Sequence, residues 1–279
     1  MEGSVSKGHK RMRGRTYSLR EAVKEHKRAL AVYLVLRGLV IAIIVLSILQ
    51  RKYENLFMCA MALVMFNLPS LFERRLSIEI PDTLEIIIYL FIYAAQILGE
   101  MRSFYVRFPF WDTMLHMLNG FICAGVGLAL INLINHRSHN LVFRLSPPYV
   151  AIAAFCFSMT VGVLWEFFEY GMDSIVHTDM QKDTVVHAIY TVTLDETKTN
   201  KVVSIKDIQR TEVNGQDLGV DGYLDIGLND TMKDLFVNCI GAVVFSIYGY
   251  FYAKREEKVR FIEGFIPYST KKPEEPPEM

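Results

Sequence analysis

Three stretches hold the residues able to do chemistry: "FWDTMLHMLNGF" (110–121), "WEFFEYGMD" (165–173) and "LNDTMKDLFVNCIGA" (228–242). In the first, Asp112 and His116 stand four apart and Asn119 follows three later. In the second, Glu166, Glu169 and Asp173 fall at i, i+3 and i+7. In the third, Asp230, Asp234 and Asn238 fall at i, i+4 and i+8. Each set occupies one face of a helix. Together they bring six carboxylates to one imidazole, His116, and one ammonium, Lys233. Clustered carboxylates at low dielectric cannot all stay charged without compensation. The expected chemistry is therefore that of bound protons or a bound cation.

One imidazole, several carboxylates and no thiolate suit Zn²⁺, Mn²⁺ or Fe²⁺; Mg²⁺ or Ca²⁺ would fit if His116 stood behind the ligands. His116, Glu166, Asp230, Asp234 and Asp112 are the candidate metal ligands, and Glu169 the candidate general base. Arg102 and Arg107 could meet an anionic headgroup, with Trp111 and Trp165 lining its cleft. Each piece also has an ordinary explanation. Asp112 and Asp230 stand where helix N-caps stand, Asp173 can sit in interfacial water, and the aromatics can form an interfacial belt. His116, Glu166 and Asp234 resist this, because each lies a turn or more inside an apolar segment, where an ionisable group costs about 3 kcal/mol or more.

Those apolar segments run over 30–49, 82–100, 113–135, 148–171 and 231–252, each long enough to cross a bilayer. A shorter one, 56–72, contains Asn67 and Pro69 and could cross as a bent helix. The chain of 279 residues is 52% hydrophobic, and the fold class expected is an all-α polytopic membrane protein with about six transmembrane helices. Segment 1–29 has nine Lys or Arg against three acids, which places both termini in the cytoplasm. No signal-peptide cleavage site follows the first apolar run, so that span is expected to be retained. The organisation is then a basic cytoplasmic segment (1–29), helices 1–5 (30–171), an extracytoplasmic loop (172–230), helix 6 (231–252) and a cytoplasmic tail (253–279). In the loop, "TVVHAIYTVTL" (184–194) and "KVVSI" (201–205) flank a turn-like "DETKTN", and "VNGQ" (213–216) carries a hairpin signal. A small β-hairpin element is expected there. The four cysteines lie in apolar runs and read as small core residues. Gly120, Gly241 and Asn238 read as helix-packing positions. Arg37, inside the first span, either snorkels or meets Glu85.

On the same three motifs, across about 30–252, the chain resembles the YjdF-like bacterial inner-membrane proteins of unknown function. A fainter similarity to VanZ-like proteins is confined to Asp234, Asn238 and Gly241. The resemblance implies a multi-pass protein of the bacterial plasma membrane and marks Trp111, Asp112, His116, Trp165, Glu166, Glu169, Asp230, Asp234, Asn238 and Gly241 as motif residues. Neither family brings a settled reaction. The partners expected are the lipid bilayer and a lipid headgroup or lipid-linked substrate, with no nucleic acid. The functional expectation is a metal-dependent enzyme; a proton- or cation-coupled transporter and a non-catalytic envelope accessory protein are the alternatives.

Overall fold

The computed structural model describes residues 27–76, 78–137, 145–255 and 268–269. Most of the basic segment 1–29, of the loop 136–147 and of the tail 253–279 lies outside the described residues. Among the described residues, six helices are long and apolar enough to cross a membrane: Lys27–Leu49, Asn55–Arg75, Asp82–Met101, Trp111–Ile131, Pro147–Val176 and Leu228–Lys254. The first is α1 (Lys27–Leu49). The second is broken into α2 (Glu54–Met65) and α3 (Leu68–Leu76). Asn67 Nδ2 donates to the Leu63 carbonyl at 2.5 Å, and Pro69 falls in the first turn of α3, where a missing N–H is tolerated. The bent second span anticipated around Asn67 and Pro69 is thus present.

Helix α4 (Asp82–Tyr93) runs on as a π-helix over Ala94–Met101, followed by the short α5 (Phe104–Arg107). The long α6 (Trp111–Arg137), α7 (Pro147–Gly171) and α8 (Leu228–Arg255) make the second half. Helix α7 also continues as a π-turn, Met172–Val176, so the polar insert begins at 177 where hydropathy alone placed its start at 172. At its far end Asp225 accepts the N–H groups of Gly227 (3.2 Å) and Asn229 (2.9 Å). That capture starts α8 at Leu228, three residues ahead of the apolar run.

Two packed cores follow from this division. Leu36, Val40, Cys59, Ala62, Phe66, Tyr89 and Ile92 join α1, α2 and α4. Ile122, Leu128, Val150, Ala154, Ala242 and Phe245 join α6, α7 and α8, and Leu84 of α4 reaches into that core. Side chains such as Leu46, Phe167 and Ile247 remain exposed and suit acyl chains as neighbours. Arg37 donates to Tyr33, one turn away on α1. The Tyr33 ring packs 5.2 Å from that of Tyr89, whose hydroxyl donates to Glu85 at 2.6 Å. Arg37 and Glu85 are therefore linked through an aromatic pair.

The closest approach is between α6 and α8. A Cβ at Gly120 would fall 2.0 Å from the Asn238 carbonyl oxygen, and one at Gly241 2.0 Å from that of Met117. Only hydrogen fits at either position. Ser158 of α7 donates to the Gly120 carbonyl at 2.8 Å, and Asn119 Nδ2 donates to Asn238 Oδ1 at 2.9 Å. These buried bonds fix the rotation of all three helices.

The insert consists of short antiparallel pairs. Strand β3 (Ile189–Thr191) pairs with β4 (Val203–Ile205) in the register Tyr190 to Ser204. This is the hairpin expected from the alternating runs. Asn214 and Gly215, both at positive φ (54° and 79°), turn β5 (Glu212–Val213) into β6 (Gln216–Asp217), as an Asn-Gly hairpin turn should. The outer strands β2 (Val185–Val186) and β7 (Tyr223–Leu224) pair and close the insert onto the helices. The remaining pair, β1 (Ile78–Glu79) with β8 (Tyr268–Ser269), joins distant parts of the chain.

The β3–β4 turn is organised by Asp195. Its carboxylate accepts the Thr197 hydroxyl (2.5 Å) and the N–H groups of Thr197 (3.0 Å), Thr199 (2.9 Å) and Lys201 (3.0 Å). The Thr197 hydroxyl, with the Lys201 N–H and its neighbours, holds the acid down to about 2. A depressed folded value adds stability that is full above the ordinary carboxylate range and is lost as pH falls through about 2. Amide exchange at Thr197, Thr199 and Lys201 is expected to be slow at pH 6. Their protection relative to the intrinsic exchange rate at each pH should fall between about pH 4 and pH 2, ahead of any change in the helices. Unchanged protection at pH 2 would remove Asp195 as the organiser of the turn.

Candidate functional site

Helices α6 and α8 enter the bundle from the same end, and α7 leaves it there. The Trp111 N–H, donated to the Phe108 carbonyl at 2.8 Å, sets the start of α6. Asp112 and His116 then lie one turn apart on its inner face. Asp230 and Asp234 repeat that spacing on α8. Close contact at Gly120 and Gly241, a turn deeper, holds the two faces together, and α7 supplies Glu166 and Glu169.

His116 is the centre. Its Nε2 lies 3.4 Å from Asp112 Oδ1 and 3.7 Å from Asp234 Oδ2, and its Nδ1 lies 3.8 Å from Glu166 Oε1. These separations exceed those of good hydrogen bonds. Two ligands of one tetrahedral ion with bonds of about 2.0 Å sit about 3.3 Å apart, which is closer to what is seen. Asp112, His116 and Asp234 form one set of donors within 4.8 Å of one another, and His116, Glu166 and Glu169 another. Asp234 is 1% exposed, and its Oδ1 is buried without a hydrogen-bond partner. Its nearest cation is the Lys233 ammonium at 3.8 Å, which also stands 3.5 Å from Asp112 Oδ2 and 3.7 Å from Asp230 Oδ1. A buried carboxylate oxygen without a hydrogen bond costs about 1–3 kcal/mol, and an ammonium at 3.8 Å is too far to supply one, so the arrangement fits a cation that would complete it.

Other predicted residues are placed around this centre. Glu169 Oε1 accepts Trp165 Nε1–H at 2.8 Å, so Trp165 orients the carboxylate. The Trp111 ring packs edge-on to Phe104, centroids 4.9 Å apart, and its buried Nε1 has no hydrogen-bond partner. Asp230 sits at the rim, where its Oδ2 accepts the Lys182 N–H at 2.9 Å. Asn238 lies below the cluster; besides Asn119, it reaches Met159 Sδ through Nδ2 at 3.6 Å. Arg102 and Arg107 are exposed and are not among the residues lining the cavity described next.

Three features were missed in the sequence. A cavity of about 100 Å³ opens beside the cluster, walled by Asp112, Glu169 and Asp230 together with Glu100, Tyr105, Lys182 and Lys233. Glu100 and Tyr105 reach it because the π-helix advances the end of α4, and because Gly99 leaves room for the Tyr105 ring, which a Cβ would meet at 2.4 Å. Burial, with Asp112 and Glu100 nearby, pushes the Tyr105 phenol well above its ordinary value. It therefore faces the carboxylates as a hydrogen-bond donor. The third feature is a strap. Asp173 accepts the N–H groups of Met180 (2.6 Å) and Gln181 (2.8 Å) and the Thr178 hydroxyl (2.8 Å). Gln181 Nε2 donates to Thr231 Oγ1 at 2.6 Å and faces Glu166 Oε2 at 3.5 Å. Residues 178–182 are thus tied from α7 to α8 beside the cluster. The only sequence sign was a surplus of Asp at both ends of the insert.

Six candidate spans among the described residues, three of which gather a half-buried imidazole and carboxylates at one end of their bundle, define a polytopic membrane protein with a polar centre. The chain belongs to the family described as "Predicted membrane protein (DUF2238)", which matches residues 32–255, from within the first span to the end of the last. This bears out the YjdF-like resemblance of the three motifs. An uncharacterized protein of Thermotoga maritima is 26% identical over 108 residues, 39% of this chain and 53% of that protein. The chain spans about half the length of that curated relative. No solved structure matches it.

Proposed function

We propose that the protein is a metal-dependent enzyme of the bacterial plasma membrane, acting at the extracytoplasmic surface on a lipid or lipid-linked substrate. The observation that carries this is the grouping around His116: carboxylate oxygens from three helices at ligand-to-ligand spacing, with Asp234 Oδ1 buried and without a hydrogen-bond partner. Asp112, His116 and Asp234 would hold the ion, which would polarise a phosphoryl or acyl oxygen. Zn²⁺, Mn²⁺ and Fe²⁺ suit this mixed set better than Mg²⁺ or Ca²⁺. Glu169, on the cavity wall and oriented by Trp165, is placed to take a proton. Tyr105 and Lys182 on the same wall would orient the substrate's polar group. A cation-coupled transporter would use the same carboxylates, but these lie within the first two turns of α6 and α8, at one end of the bundle. That position supports chemistry at a surface over passage through the midplane.

The test is metal content of detergent-purified protein by mass spectrometry, with His116→Ala and Glu166→Gln alongside. The reading expects near-stoichiometric transition metal in the wild type and its loss in His116→Ala, with weakened binding in Glu166→Gln, whose carboxylate supports the imidazole from the Nδ1 side at 3.8 Å. Wild-type protein that takes up no metal from excess Zn²⁺, Mn²⁺ or Fe²⁺ would end the metalloenzyme reading.

A further inference from the structure

The cluster gathers more acid than the ammonium beside it balances. Five carboxylates meet there, those of Asp112, Glu166, Glu169, Asp230 and Asp234, and the ammonium set against them is Lys233, 3.5 to 3.8 Å from three of them. With every acid ionised, one divalent cation would leave two negative charges in a region largely shielded from water. A second divalent cation would remove them, and a bridging imidazole that has lost its ring proton would return one; protons held on two of the acids are the other way to remove them. Uncompensated buried charge is costly enough for that difference to matter.

The donor atoms divide in the same way. An imidazole directs its two ring nitrogens to opposite sides. Nε2 of His116 faces Asp112 Oδ1 and Asp234 Oδ2, and Nδ1 faces Glu166 Oε1. Two donor sets result, sharing this one side chain. Neither side is closed by a short hydrogen bond to the ring, at 3.4 to 3.8 Å. On the Nε2 side, Asp234 Oδ1 is buried without a hydrogen-bond partner and has the Lys233 ammonium at 3.8 Å. The cavity connects the two sides, since Asp112 of one set and Glu169 of the other both line it.

We propose that the site is dinuclear, with one divalent cation held by Asp112, His116 Nε2 and Asp234, and a second by His116 Nδ1, Glu166 and Glu169. This rests on the metal-site reading above and deepens it. The imidazole bridges the ions and releases its ring proton to solvent when the second one binds. With metal–nitrogen bonds of about 2.0 Å on either side of the ring, the ions lie roughly 6 Å apart. Glu169 then serves as a ligand to the second ion and no longer as the general base.

The test uses full-length protein in detergent, stripped with a chelator and titrated with Mn²⁺, followed by equilibrium dialysis and electron paramagnetic resonance. Two equivalents should bind per chain, the second broadening the resolved hyperfine lines of isolated Mn²⁺ as coupled pairs form. Glu169→Gln should keep one equivalent with an unbroadened spectrum, and Asp112→Asn should keep the other. One equivalent in the wild type overturns the dinuclear proposal and leaves the single-ion reading intact; none overturns both. Two equivalents without coupling, or two retained in a folded Glu169→Gln, would put the second ion elsewhere and overturn the proposal. Stoichiometry and spectrum are both read on the wild type, so the result does not depend on a variant folding.

Discussion

Asp234→Asn is expected to move stability and ion affinity in opposite directions. The side chain is 1% exposed, with Oδ1 unpartnered and Oδ2 3.7 Å from His116 Nε2. In the ion-free protein the carboxylate stands among Asp112, Asp230 and Glu166, with Lys233 as its nearest cation. Asparagine keeps the shape, removes the charge and adds a donor facing acceptors. The chelator-treated variant should therefore be more stable than the wild type by about 1–3 kcal/mol. Removing a partner that only supports a ligand typically costs 10- to 100-fold in metal affinity, so losing a ligand should cost at least about 100-fold. Thermal unfolding in detergent, with chelator and again with Mn²⁺, reads both quantities. A variant that melts lower than the wild type in chelator would show that Asp234 is stabilising without an ion. The case for a missing cation would then fail.

Gly241→Ala should lower both quantities together. Its new Cβ would lie 2.0 Å from the Met117 carbonyl and 3.0 Å from the Phe121 N. Both neighbours are backbone, so relief requires helices α6 and α8 to separate. Gly120→Ala meets the Asn238 carbonyl at 2.0 Å from the other side. Overpacking of this kind costs about 1–3 kcal/mol, and more where backbone must move. We expect about 3 kcal/mol for either change. Separation at this depth also draws His116 away from Asp234, and the metal set needs them within a few tenths of an ångström. Unfolding in detergent and Mn²⁺ binding on the same samples check this. Full ion affinity in either alanine variant would mean that the contact does not position the site.

Much of this arrangement could be read from the residues because helical spacing carries it. The pairs Asp112–His116, Glu166–Glu169 and Asp230–Asp234 each declare a face, and three faces at one end of a bundle have to meet. Gly120 and Gly241 pointed to close packing in the same way. The Asn214–Gly215 turn and the pairing of the two β-rich runs came from local backbone preference and strand alternation, while the Tyr190–Ser204 register was not legible. What escaped depends on contacts distant in sequence. No periodicity announces that Ala94–Met101 widens into a π-helix, yet this widening brings Glu100 and Tyr105 to the cavity. Lys182 and Gln181 belong to a polar insert, and Asp173 with Asp230 decides where that insert lies. Arg102, just before α5, and Arg107, at its end, are exposed and away from the cavity lining, and the headgroup contact expected of them rests on charge and position alone.

The close pairing of Gly120 with Gly241 also sets an order in time. A chain made from its N-terminus places Asp112, His116, Glu166 and Glu169 in the bilayer before Lys233 and Asp234 exist. Until α8 arrives, those acids lack their nearby ammonium and α6 has no backbone against which to seat Gly120. Assembly of the centre therefore waits for α8. A nascent chain halted before α8 would expose unpaired acids on two helices to the lipid, a state that membrane quality control can recognise.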